Sequence, residues 1–239
     1  FPLKPQASKR KMIIMAASVG SVFFAIAILI GMVIIDGSIR TPARAEKITG
    51  LKLFGALPEF NPAEENVDIR YLEDLLLEQM HGNMRIEFYE RALKDKLPKI
   101  INIFSYKIGE GKTWFSTKMA NRISDYDGKI LLIHPNEKQE IALDTVLIEP
   151  DKPKANVHEI IYDITHEFIS TVSIAELLKK HNLSFNDFGH IFLEIPALVT
   201  HQIPVNLLKE THLAIMILDS HTVWTPSHQY AYDLYKRAS

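Results

Sequence analysis

The chain has 239 residues, of which 47% are hydrophobic and 23% are charged, and its formal net charge is −2. This length accommodates one domain of ordinary size together with additional segments. The nearly neutral charge gives no support to nucleic-acid binding, and the absence of cysteine excludes disulfides and thiolate metal sites. Because the chain begins with Phe1, we expect it to be a fragment of a longer protein.

The first predicted element is a membrane-spanning helix at residues 12–35, a run without any charged side chain. As an α-helix it would be about 36 Å long, and a bilayer's hydrocarbon core is about 30 Å thick. A signal peptide has a shorter apolar core, and a core helix of a globular domain is seldom apolar all round over such a length. Basic residues are equally numerous on both sides, with a tighter cluster before the helix, which leans weakly towards a cytoplasmic N-terminus.

Residues 36–66 combine glycine, proline and mixed charge, which predicts a juxtamembrane connector. Residues 67–97 place apolar side chains at helical spacing, with Gly82 as a potential break in the helix.

Short apolar runs then alternate with helical stretches. The predicted strands are 100–104, 129–134, 190–196 and 212–219, and the predicted helices are 111–123, 173–182 and 227–237. The stretch from 135 to 172 gives no clear pattern. Strands that read as continuous apolar runs between helices are typical of a parallel sheet covered on both faces. The sequence therefore predicts an α/β fold with a mostly parallel sheet and helices on both of its faces.

The stretch "SYKIGEGKT" (105–113) resembles a phosphate-binding loop, G-x-x-x-x-G-K-[ST], without its first glycine. A predicted strand precedes it and a predicted helix follows it, which is the context that this motif requires. The predicted nucleotide-binding residues are Gly109, Glu110, Gly111, Lys112 and Thr113. Backbone N–H groups would cradle phosphate at the helix N-terminus, Lys112 would reach the outer phosphates and Thr113 would bind magnesium. An ordinary glycine turn before a helix stays open as the alternative.

The order of these parts resembles the C-terminal part of a polysaccharide co-polymerase. Such proteins are the chain-length determinants of bacterial capsule, exopolysaccharide and O-antigen export, and many carry a bacterial tyrosine-kinase (BY-kinase) domain. The resemblance rests on "PLKP", the apolar helix, "TPARAEKITGLKLFGALPEF" and the phosphate loop. It covers nearly the whole chain.

The resemblance implies an extracytoplasmic tail at 1–11, a transmembrane helix in the lipid of the bacterial inner membrane at 12–35, a connector at 36–66 and a cytoplasmic P-loop domain at 67–239. This orientation overrides the weak lean of the basic residues. The implied ligand is ATP or ADP with Mg²⁺. The implied partners are copies of the same chain and the polysaccharide polymerase and export machinery, with no nucleic acid.

Two nucleotide motifs depart from those of a working BY-kinase. The second motif, typically "LLIDxD", is "LLIHPN" here, with His134 and Asn136 in place of the two aspartates. The third, typically "IIIDTPP", is "IFLEIPA", with Glu194 in place of the aspartate. Magnesium prefers oxygen ligands in octahedral geometry, and a misplacement of about 1 Å can cost about 10²-fold in rate. We therefore expect a catalytically inactive domain.

Other features carry less weight. The E-x-x-R-x-x-R motif used for BY-kinase oligomerisation is absent from 67–97, and the family's tyrosine-rich tail is not present before Ser239. Tyr230, Tyr232 and Tyr235 fall in a predicted helix, as packing and surface residues. We expect the histidines to be structural or exposed, because no pair of them has metal-site spacing.

Three functional hypotheses follow. The favoured one is a membrane-anchored scaffold, with an inactive kinase-like domain, in polysaccharide assembly or export. The second is an active, autophosphorylating tyrosine kinase. The third is a membrane-bound ATPase of the partitioning type, based on Lys107 in "KIGEGKT", although a solvated loop lysine explains that residue as well.

Overall fold

The computed structural model describes residues 9–35, 37–58, 67–93, 98–136 and 153–239. The chain divides into two compact units, Phe1–Ser38 and Ile39–Ser239. The first unit contains helix α1 (Arg10–Ile35), of which Arg10–Met32 is long and apolar enough to cross a membrane. Large apolar side chains on α1 are exposed, with Phe23 and Phe24 each at 69%. This exposure distinguishes α1 from the core helix of a soluble domain.

The second unit is built on five parallel strands. They are β1 (Lys99–Ser105), β2 (Ile130–Pro135), β3 (Val157–Tyr162), β4 (His190–Glu194) and β5 (Leu213–Ile217). Their order in the sheet is β3-β2-β4-β1-β5, and every neighbouring pair is parallel. Strands β1, β2 and β4 are almost wholly buried because helices cover both faces of the sheet. The predicted α/β fold with a parallel sheet is confirmed.

Helices cover the two faces of the sheet and form two cores. They are α2 (Pro42–Thr49), α3 (Val67–Glu90), α4 (Lys112–Ile123), α5 (His166–Thr171), α6 (Ile174–Lys180), α7 (Val205–Leu208) and α8 (Pro226–Ala238). One core joins α3 and α4 to the sheet, with Met84 and Met119 at its centre. The other joins α6, α7 and α8 to the opposite face.

The structure adds three features to the sequence prediction. Helix α3 runs through Gly82 without interruption, because Met80 and Met84 on either side are buried in the core. Strand β3 lies in the stretch that gave no clear pattern. The predicted connector contains α2 and an extended segment whose Phe54 and Leu57 pack against the first core, so these residues belong to the same compact unit as the sheet.

Tyr235 connects helix α8 to strand β1 through a ring contact and a hydrogen bond. Its ring stacks on Phe104 with centroids 3.9 Å apart, and its hydroxyl donates to Oδ1 of Asn102 at 2.8 Å. Asn102 is fully buried and donates through Nδ2 to the carbonyl of Leu193 at 3.2 Å. Burial raises the pKa of Tyr235, so its hydroxyl stays a donor. The buried hydroxyl of Tyr235 and the buried side-chain amide of Asn102 are therefore both hydrogen-bonded inside the core.

Tyr235→Phe is expected to lower the free energy of unfolding by about 1–2 kcal/mol, because a buried acceptor on Asn102 loses its donor. The measurement is chemical unfolding of the full chain in detergent. Tyr230→Phe on the same helix is the matched control, since Tyr230 is 66% exposed and should change stability by less than about 0.5 kcal/mol. Equal losses in both variants would show that the buried hydrogen bond contributes nothing.

Candidate nucleotide-binding site

The phosphate loop connects β1 to α4 at the edge of the sheet where the parallel strands end. Gly109 and Gly111 have φ values of 85° and 92°, a conformation that glycine adopts without the steric cost borne by other residues. Gly111 is also the residue immediately before α4, and a side chain added to it would meet no atom within 4 Å. The space beside the N-terminus of α4 is therefore open, as a phosphate site requires.

Lys112, the first residue of α4, is only 4% exposed. Its Nζ donates to Oγ of Ser105 at 3.1 Å, and that hydroxyl in turn donates to the carbonyl of Lys107 at 2.6 Å. The Lys112 side chain therefore packs against the phosphate loop, and its ammonium group lies beside the open space at the N-terminus of α4. A buried cation at a helix N-terminus favours an anionic ligand.

Glu110 stabilises the phosphate loop through hydrogen bonds to its side chain. One of its carboxylate oxygens accepts from the backbone N–H of Lys107 at 2.9 Å, and the other accepts a long hydrogen bond of 3.4 Å from the Thr222 hydroxyl. Burial raises the pKa of Glu110, and the backbone hydrogen bonds oppose that rise. Its side chain thus fixes the shape of the loop through these hydrogen bonds.

Tyr106 occupies the position of the missing first glycine, counting back from Lys112 in the motif. Its ring packs against His228, with centroids 3.7 Å apart. Lys107 is exposed, as expected for a solvated loop lysine.

Glu194, at the end of β4, is fully buried and binds two hydroxyl groups of α4. Its Oε2 accepts from Thr113 Oγ1 at 2.8 Å, and its Oε1 accepts from Ser116 Oγ. Burial raises the pKa of Glu194, while Ser116, His134, Thr113 and Lys112 oppose the rise. The Thr113 hydroxyl, predicted to bind magnesium, is therefore already engaged by a carboxylate.

The second motif is occupied by two side-chain pairs that the sequence did not predict. His134, on β2, lies with Nε2 2.7 Å from Oε1 of Glu159 on β3. Asn136 donates through Nδ2 to Oδ1 of Asp163 at 3.1 Å. Glu159 lies on β3 and Asp163 directly follows that strand. Both pairs therefore depend on the pairing of β3 with β2, which the sequence does not reveal.

The donor set fits phosphate better than it fits magnesium. The loop offers Lys112, left-handed glycines and an open helix N-terminus, which are the features of an anion site. Magnesium prefers oxygen ligands, and both oxygens of Glu194 already accept hydrogen bonds from hydroxyl groups of α4.

No protein-family model and no curated protein matches this chain. Three solved structures share its backbone fold. The BceF tyrosine kinase domain has a TM-score of 0.59 at 12% identity, covering 84% of this chain and 95% of its own. The kinase domain of the Escherichia coli tyrosine kinase ETK has a TM-score of 0.56 at 13% identity, covering 82% and 89%. The chimerical protein CapA2B2 has a TM-score of 0.57 at 13% identity, covering 83% and 94%.

This chain has the fold of these kinase domains. The predicted BY-kinase-like P-loop fold is therefore confirmed, and with it an arrangement in which the loop after β1 faces the ends of the neighbouring strands. Identities of 12–13% show the fold alone. The co-polymerase assignment, the oligomer and the loss of catalysis stay predictions.

Proposed function

We propose that this chain is a membrane-anchored protein whose cytoplasmic kinase-like domain binds ATP or ADP and acts as a non-catalytic scaffold in the assembly or export of a bacterial surface polysaccharide. In this proposal residues 1–11 are extracytoplasmic, 12–35 cross the inner membrane, 36–66 connect, and 67–239 form the cytoplasmic domain. Its partners are other copies of itself and the polymerase and export machinery. Helix α1 and the likeness to BceF and ETK support this arrangement.

One observation carries the non-catalytic part of the proposal. The three positions that would carry carboxylates in the kinase motifs are His134, Asn136 and Glu194, and each is paired with another side chain of the domain. Phosphoryl transfer depends on carboxylates that position magnesium and accept the proton of the attacking hydroxyl. Glu194 is fully buried against Thr113 and Ser116, so it cannot perform either task without leaving them.

An active autophosphorylating tyrosine kinase is the second candidate. The formed loop with its buried Lys112, together with the kinase fold, favours it. The partitioning-type ATPase has no such support, because Lys107 is exposed and contacts Glu110 through its backbone N–H.

Lys112→Ala is expected to weaken ADP and ATP binding by at least about tenfold, because one charge-assisted contact to phosphate contributes about 1.5–3 kcal/mol. The measurement is calorimetric titration of the full chain in detergent. Lys107→Ala is the matched control, since this loop lysine is exposed, and it should leave the affinity within about twofold. Absence of binding at millimolar nucleotide, or equal affinities for Lys112→Ala and the wild type, would contradict the proposal.

Catalysis is tested on the same samples by incubation with ATP and magnesium or manganese, followed by phosphotyrosine detection. The scaffold proposal expects no signal above that of Lys112→Ala. A signal that disappears in Lys112→Ala would establish the kinase instead.

A further inference from the structure

The magnesium ion that a kinase fold implies does not fit this site, and from that mismatch we infer that the loop binds its nucleoside di- or triphosphate in metal-free form. This inference rests on the proposed nucleotide binding and specifies the ligand of that same site. It concerns the charge that balances the phosphates, which the structure assigns to Lys112 and the loop rather than to a divalent cation.

The first reason is the state of Glu194, the acidic residue of the third motif. It is fully buried, and its two oxygens accept hydrogen bonds from the hydroxyls of Thr113, at 2.8 Å, and Ser116. Turning Glu194 towards a metal would leave these hydroxyls without their acceptor, at a cost of about 1–3 kcal/mol for each buried group. The residue that should have been the acidic partner of the metal is therefore committed to hydrogen bonds inside the domain.

The second reason is the His134–Glu159 pair. His134 occupies the first carboxylate position of the second motif, and its ring is fixed by the 2.7 Å contact from Nε2 to Glu159. An imidazole is a poor ligand for magnesium, which prefers hard oxygen donors and keeps several of its waters. Among the described residues, the acidic oxygen in contact with His134 is Oε1 of Glu159, which is directed at the ring. The second motif therefore presents an imidazole ring, a poor magnesium ligand, at the position where a kinase has a carboxylate.

The third reason is the charge that remains. Lys112 is 4% exposed beside the open space at the N-terminus of α4, and helix N-termini attract anions through unpaired N–H groups and the helix dipole. These groups offset part of the phosphate charge without a metal. The same open depression is lined by Gly111, Lys112, Thr113, His134 and Glu159.

The test measures ADP binding to the full chain in detergent by calorimetry, once in excess magnesium and once in excess EDTA. We expect dissociation constants that agree within about threefold, or tighter binding in EDTA. Binding that appears only with magnesium, or that is at least about tenfold tighter with it, would overturn the inference while leaving the proposed nucleotide binding intact. Failure to bind under both conditions would overturn both.

His134→Asp provides the second arm, because it returns a carboxylate to the second motif. In this variant magnesium should tighten ADP binding by at least about tenfold over EDTA. Glu159→Gln is the matched control, since it alters the partner of the ring but places no carboxylate at residue 134, and its affinity should stay independent of magnesium. A His134→Asp protein that is folded by circular dichroism and equally indifferent to magnesium would contradict the role given to residue 134.

Discussion

Glu194→Ala is expected to lower the free energy of unfolding by about 3 kcal/mol. The side chain is fully buried, so its removal leaves a cavity in the core. It also leaves the hydroxyls of Thr113 and Ser116 without their acceptor. Because both hydroxyls belong to the first turns of α4, the loss should also loosen the N-terminus of that helix. Chemical unfolding of the full chain in detergent measures the change.

Glu194→Gln is the matched control, because it keeps the volume and one acceptor oxygen but cannot ionise. Burial raises the pKa of Glu194 above its ordinary value of 4.5. The native state therefore holds this proton more tightly than the unfolded state does. The stabilisation is complete below about pH 4.5 and is lost as the pH rises through the native pKa.

We therefore expect Glu194→Gln to be at least as stable as the wild type at about pH 8, where the buried charge costs the wild type most. The variant should also lose less stability than the wild type between about pH 5 and pH 8. Equal destabilisation by alanine and glutamine would contradict this account. It would mean that the ionised carboxylate is what holds the two hydroxyls of α4.

The predictable part of the site is the part that local sequence encodes. Gly109, Gly111 and Lys112 lie within a few residues of each other, between an apolar run and a helical stretch. Strands β1, β2 and β4 are buried on both faces, so each reads as an unbroken apolar segment. The motif and its setting could therefore be recognised together.

The missed part depends on contacts between distant segments. Strand β3 is the edge of the sheet, and His158, Glu159 and Ile161 are exposed on it, which interrupts the apolar run that would have marked a buried strand. The His134–Glu159 pair needs the parallel register of β2 and β3, in which Leu132 lies beside Glu159. The hydrogen bond from Thr222 to Glu110 joins residues that are 112 positions apart in the sequence. None of these contacts has a local signature.

Acidification is expected to destabilise the domain through His190, the first residue of β4. His190 is 3% exposed, and within the described part of the chain its Nδ1 has no hydrogen-bond partner. Burial lowers its pKa from 6.5 to about 4, and Lys99 and His81 add to that effect. Asp127, whose Oδ2 lies 4.0 Å from Nε2, opposes the effect of burial on this pKa and is its second-largest cause. This histidine is buried as a neutral ring.

The direction of the pH effect follows from the lowered pKa. Above about pH 6.5 the ring is neutral in both the native and the unfolded state, so it adds no pH dependence. As the pH falls below 6.5, the unfolded state takes up the proton and the native state does not. At pH 5 the difference amounts to about 2 kcal/mol, a large fraction of a typical domain stability of about 5–15 kcal/mol.

The decisive comparison is His190→Gln against the wild type, in unfolding of the full chain in detergent at about pH 8 and pH 5. Glutamine cannot titrate, so the variant should lose about 2 kcal/mol less than the wild type over this interval. His221→Gln is the matched control, because that side chain is 60% exposed and its replacement should leave the pH dependence unchanged. If His190→Gln keeps the full acid sensitivity, the native ring takes up a proton as readily as the unfolded chain does, which would require Asp127 to compensate its charge. Neighbouring His81 is the internal check on that outcome. It is also buried, its pKa is also lowered by burial, and it lies 3.8 Å from the same Asp127 oxygen. One carboxylate in that position could not hold two imidazolium rings without leaving one of them buried and uncompensated.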